Sequence, residues 1–64
     1  MKVGDRVKYT EEVLSRCRIG AQLRVSEERG TITGIDRNAT DTIIWVYWDM
    51  DGTVWELSGD LMVA

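Results

Sequence analysis

The longest apolar run of the chain, Ile43-Ile44-Trp45-Val46-Tyr47-Trp48, is rich in β-branched and aromatic residues and too short for a free-standing buried helix. It predicts a strand. Alternation sends Ile44, Val46 and Trp48 to one face and Ile43, Trp45 and Tyr47 to the other. Both faces are apolar, so both need cover. We expect Ile44, Val46 and Trp48 to close the core. The opposite face then awaits either a helix or a partner. Asp49-Met50-Asp51-Gly52 follows as a turn, because Asp makes side-chain turns and Gly takes positive φ freely. A second strand, Thr53 to Leu57, completes a hairpin that holds all three tryptophans of the chain.

The remaining pattern supplies shorter elements. Val3 to Tyr9 alternates, with Val7 and Tyr9 on one side and Arg6 and Lys8 on the other, and reads as a half-buried strand. Thr10-Glu11-Glu12 has a capping residue followed by acids suited to a positive helix start. Val13, Leu14 and Cys17 fall on one helical stripe, and Gly20 suits a helix stop. These features predict a helix from about Glu11 to Arg18. Leu23 and Val25 alternate with Arg24 and predict a brief extended piece. Residues 26–30 read as a polar loop. Thr31 to Ile35 is β-prone, and Gly34 within it predicts a bulge or bend. Residues 36–41 form a polar loop. Ser58-Gly59-Asp60-Leu61 predicts one tight helical turn, and Met62-Val63-Ala64 a last short strand.

With 64 residues there is room for one domain, residues 1–64. A chain of this size buries only about 60% of its unfolded surface, so extra burial has a premium. The single cysteine allows no internal disulfide, and with no secretory leader it predicts a cytoplasmic setting. No stretch approaches the roughly 20 apolar residues that cross a bilayer, so no membrane role is expected. The net charge is −3, with a strong asymmetry. Residues 1–37 carry eight basic and six acidic side chains, whereas residues 38–64 carry five acidic and no basic ones.

Short strands separated by turn signals predict a mainly β fold, a small barrel rather than a sandwich. The order of motifs resembles Src-homology-3-like (SH3-like) barrels, including Tudor-like and KOW-like modules. The carriers are Val3-Gly4-Asp5-Arg6-Val7, Arg29-Gly30-Thr31-Ile32-Thr33-Gly34-Ile35, Val46-Tyr47-Trp48-Asp49, Asp51-Gly52-Thr53 and Leu57-Ser58-Gly59-Asp60-Leu61. The nearest likeness is to short uncharacterised barrels of phages and bacteria. The resemblance implies a five-stranded antiparallel SH3-like barrel with one short helix after the first strand. It implies binding of peptides, partner subunits or nucleic acid rather than catalysis.

Candidate chemistry narrows the field further. Asp49-Met50-Asp51-Gly52-Thr53 resembles the first motif of haloacid-dehalogenase phosphotransferases. That chemistry also requires a downstream Lys and further carboxylates, and only 11 residues without a Lys follow Thr53. The turn is the better reading. The chain has no histidine, which excludes Ser-His-Asp and Cys-His nucleophile systems and His-containing zinc sites. Cys17 is expected to pack in the core. Asn38-Ala39-Thr40 is a glycosylation sequon without a secretory context. No enzyme activity, metal or cofactor is expected.

Binding is the remaining class. Trp45, Tyr47 and Trp55 are the candidate anchors, and Arg16, Arg18 and Arg24 a charged rim. Alternatively those arginines are solvated and paired with Glu11, Glu12, Glu27 or Glu28. We expect a non-enzymatic module that binds a protein partner or a second copy of itself. The alternative is a nucleic-acid-binding barrel in which the same arginines contact phosphate and the aromatics stack on bases.

Overall fold

The computed structural model describes residues 1–17, 19–37 and 40–64. Arg18 and the Asn38-Ala39 part of the sequon lie outside the described residues. Five strands form one antiparallel sheet: β1 (Arg6–Tyr9), β2 (Gly30–Asp36), β3 (Ile43–Trp48), β4 (Gly52–Leu57) and β5 (Leu61–Val63), in the order β4-β3-β2-β1-β5. Two helices, α1 (Glu11–Arg16) and α2 (Ile19–Glu27), occupy the first excursion, and Ser58–Asp60 forms a 3-10 turn.

The chain enters through a turn at Gly4, whose φ is +94°. Its backbone is stitched to β2: Gly4 N–H donates to the Ile32 carbonyl at 2.8 Å, and Ile32 N–H to that of Asp5 at 3.0 Å. α1 begins as its sequence predicts. The Thr10 hydroxyl accepts from Val13 N–H at 3.4 Å, and Glu11 and Glu12 occupy the first turn. It ends earlier than predicted, where Cys17 turns extended at ψ 153°. The expected extended piece at 23–25 is instead part of α2, which runs through the expected stop at Gly20. Three residues of alternation fit period 2 and period 3.6 equally well. The helix formers Gln22, Leu23, Arg24 and Glu27 decide for helix.

β2 and β3 share a bulge. Ile32 pairs with Val46, yet Gly34 pairs with Trp45, which leaves Thr33 as the extra residue. Three positions separate Ile32 from Ile35, so a regular strand would put them on opposite faces. The bulge brings both to the core side. The core consists of Val7, Ile32, Ile44, Val46, Trp48 and Leu61, with Tyr9 and Ile35 packed against it. The inward face expected for β3 is therefore the inward face observed. Trp48 stacks on Tyr9 with ring centroids 4.4 Å apart.

The sheet is curled but does not close into the expected barrel. β4 and β5 stand at opposite edges, because β5 is only three residues long and pairs with β1. Only residues 58–60 separate the two strands. Four residue steps reach about 14 Å at most, whereas the outer strands of a flat five-stranded sheet lie about 19 Å apart. The sheet must bend to let the chain cross. No helix among the described residues is long and apolar enough to cross a membrane.

Gly30 lies against the side chains of Val46 and Trp48. A Cβ there would overlap Val46 Cγ1 and lie 2.9 Å from Trp48 Cε3. A Cβ at Gly59 meets nothing within 4 Å. Gly30→Ala is therefore expected to lose about 1–3 kcal/mol of stability in chemical denaturation, and Gly59→Ala less than about 0.5 kcal/mol. Equal effects would contradict the packing at Gly30.

Candidate interaction surface

The outward face of the β2-β3-β4 sheet carries the candidate anchors. Register sets Trp45 directly opposite Trp55, Tyr47 opposite Thr53, and Ile43 opposite Leu57. On the other side Tyr47 faces Thr31, and Trp45 faces Gly34. The Trp45 ring lies over Gly34, its Cδ1 3.5 Å from where a Cβ would stand, an ordinary contact. Trp45 is 41% exposed, and Tyr47 and Trp55 are each 54% exposed. The helices do not provide the cover considered for this face: α2 packs on β1 and on α1. An aromatic cross-strand pair with a third ring beside it thus stands in solvent.

Of the three arginines expected as a rim, Arg18 lies outside the described residues, and Arg16 and Arg24 form ion pairs. Arg16 donates to Asp60 Oδ1 at 3.1 Å, and Arg24 to Asp51 Oδ1 at 2.9 Å. Among the described residues neither forms a salt bridge with the glutamates considered as partners, although the charge of Arg24 acts on Glu28, because the fold brings the 3-10 turn to α1 and the β3–β4 turn to α2. Both pairs are exposed and contribute little stability. The basic residue in the aromatic field is Arg6, which lies opposite Thr31 in the register. Arg6 donates to both Asp49 oxygens, at 3.0 and 2.6 Å, and to Thr31 Oγ1 at 2.9 Å. That hydrogen-bonded pairing holds the Asp49 carboxyl below, and the Arg6 guanidinium above, its ordinary pKa. Arg6 was readable as outward-facing from its alternation with Val7. Its pairing over 43 positions was not.

The two aspartates of Asp49-Met50-Asp51-Gly52-Thr53 are thereby drawn to different arginines. Gly52 closes the turn at φ +79°. Among the described residues, no cluster of three or more His, Cys, Asp or Glu is placed to hold a metal ion. Cys17 is half-buried at the end of α1, and its thiol donates to the Val13 carbonyl at 3.4 Å.

Beneath the turn lies a group that the sequence offered only as a solvated partner for the arginines. Glu28 follows α2 and is 4% exposed. Its Oε1 has no donor partner among the described residues. Burial raises its pKa, and the neighbouring Asp51 carboxyl raises it further. The Met50 N–H and the Arg24 guanidinium oppose this rise. The neighbouring Asp51 carboxyl thus disfavours the charged form of Glu28, as burial does. The run Ser26-Glu27-Glu28-Arg29 contains no signal that one of its acids is buried. Tyr9 completes the inner polar group. Its hydroxyl donates to Glu56 Oε2, which also accepts Trp48 Nε1–H at 3.2 Å. Burial first, and the Glu56 carboxylate second, raise the Tyr9 pKa.

Compared with protein-family models, curated proteins and solved structures, the chain matches none of them.

The raised Glu28 pKa gives a pH dependence of defined sign. An acid whose folded pKa is raised stabilises the fold below its ordinary range, and that contribution is lost as pH rises through the folded pKa. Asp49 acts in the opposite sense, at lower pH. Denaturation midpoints are expected to fall as pH rises from the ordinary carboxyl range toward neutrality. Glu28→Gln, which keeps a donor without a charge, should flatten this fall. An unchanged slope in Glu28→Gln would remove Glu28 as its origin.

Proposed function

We propose that the chain is a non-enzymatic protein-interaction module built as an open SH3-like barrel. The observation that carries this reading is the uncovered Trp45–Trp55 pair with Tyr47 beside it. Tryptophan and tyrosine bury large apolar area with few rotatable bonds, and they dominate binding energy at interfaces. A contiguous exposed apolar patch on a small domain is unusual without a partner. The polar neighbours Thr31, Thr53 and Arg6 suit a rim around this centre.

The strand order and the 3-10 crossing before β5 support the barrel reading, as does the curl that the crossing demands. The engagement of both turn aspartates by arginines favours a structural over a catalytic turn. The single cysteine fits a reducing cytoplasmic setting. Nucleic acid is the weaker partner: Arg16 and Arg24 are paired with aspartates, and the chain is acidic overall.

Trp45→Ala is expected to lose less than about 1.5 kcal/mol of stability, against about 3–5 kcal/mol for Trp48→Ala. In a pull-down from the native host, the wild type should retain a protein partner that Trp45→Ala and Trp55→Ala release. A partner retained equally by both variants would sink the proposal. Salt-sensitive binding of DNA or RNA by the wild type would replace it with the nucleic-acid reading.

A further inference from the structure

The aromatic face continues to a free sheet edge, and the direction of the backbone groups on that edge can be derived. Ser58 N–H donates to the Thr42 carbonyl at 3.1 Å, which makes Thr42 and Ser58 a hydrogen-bonded pair. Antiparallel ladders alternate. By register, Ile44/Glu56, Val46/Val54 and Trp48/Gly52 are then the other hydrogen-bonded pairs. The N–H and C=O of Val54 and Glu56 point toward β3. Those of Thr53, Trp55 and Leu57 point away from the sheet. Among the described residues, β4 pairs as a strand with β3 alone.

The one charged side chain of β4, Glu56, is engaged inward by Tyr9 and Trp48 and leaves the outer face of the edge uncharged. β4 contains no Pro, no Lys and no bulge, and its register with β3 is unbroken. Natural proteins use such devices to protect exposed edges. Val54, on the inward side of β4, is also 41% exposed, so both faces of the strand are left partly open. The opposite edge, β5, offers only three residues.

We infer that β4 pairs antiparallel with β4 of a second copy, about a two-fold axis through Trp55, to give one continuous ten-stranded sheet. This inference rests on the interaction-module reading and names its partner. The register is self-complementary. Trp55 meets Trp55 of the second copy, and Thr53 meets Leu57 of the second copy, in both directions. All three are residues whose backbone groups point outward, so every outward N–H and C=O along Thr53–Leu57 finds a partner. On the outer face the pairing extends Trp45–Trp55 into a row of four indoles, and cross-strand aromatic neighbours stabilise sheets. On the inner face Glu56 falls level with Val54 of the second copy, so no carboxylate faces another. Isologous two-fold pairing closes on itself and does not propagate into fibres. It also supplies burial that a chain of 64 residues needs.

The test combines light scattering across micromolar to millimolar concentrations with residue-resolved amide exchange. The mass is expected to double with concentration. At high concentration the amides of Thr53, Trp55 and Leu57 should exchange roughly tenfold more slowly, while those of Val54 and Glu56, already bonded to β3, stay unchanged. Thr53→Pro removes an outward donor only, and proline is tolerated on an edge strand. It is expected to keep the wild-type circular dichroism and remain monomeric. A wild-type monomer throughout, or a dimer without the alternating protection, overturns the inference. The pull-down separates the two ideas: a monomer whose host partner is released by Trp45→Ala leaves the module reading standing while self-pairing falls.

Discussion

The Glu56 carboxylate, held between the Tyr9 hydroxyl and the Trp48 indole, is the interaction on which the rest of the structure depends. Its three residues come from β1, β3 and β4, so it ties the sheet across its curl. Trp48 is the largest fully buried side chain, and it has room only because Gly30 on β2 brings no side chain of its own. A buried indole N–H needs an acceptor, and a half-buried carboxylate needs donors. Each satisfies the other, and Tyr9 stacks on the same ring. Four strands thus converge on one side chain.

Fixing Trp48 inward has a consequence on the other side of β3. The strand period is two, so Trp45 and Tyr47 must point outward. The bulge at Thr33 keeps this parity from slipping, since it returns Ile35 to the core face opposite Ile44. The helices could have hidden the outward face, but α2 is committed to β1. The exposed aromatics are therefore a result of the core, and the proposed interaction role rests on them. The ion pairs run around this frame. Beside the local Lys2–Asp5 pair, three join an arginine to a carboxylate far along the chain, at the β3–β4 turn or at the 3-10 turn. Charges segregated along the sequence are mixed in space, which removes the apparent polarity of the two halves.

Much of this was legible in the chain itself. The period-two pattern assigned the inward face of β3 residue by residue. Gly34 marked the bulge, Asp51-Gly52 the hairpin turn, Thr10 the helix start, and Ser58-Gly59-Asp60 the crossing. These are local features, set by backbone sterics and side chains within a few residues. The second helix was misread because Leu23-Arg24-Val25 is too short to separate one period from another. The burial of Glu28, the partners of Arg16 and Arg24, and the place of Arg6 beside the aromatics depend on segments that meet only after folding.

What the sequence by itself determined is the strand content, the turns and which residues of β3 face inward, because alternation and turn chemistry act over a few bonds. Only the tertiary structure decided that the sheet curls without closing, that no helix covers Trp45 and Tyr47, and that β4 is left as an open edge. Those outcomes follow from competition for cover. The same apolar face could have been buried by α1 or α2, by closure onto β5 or by a partner, and a local pattern states only that cover is needed.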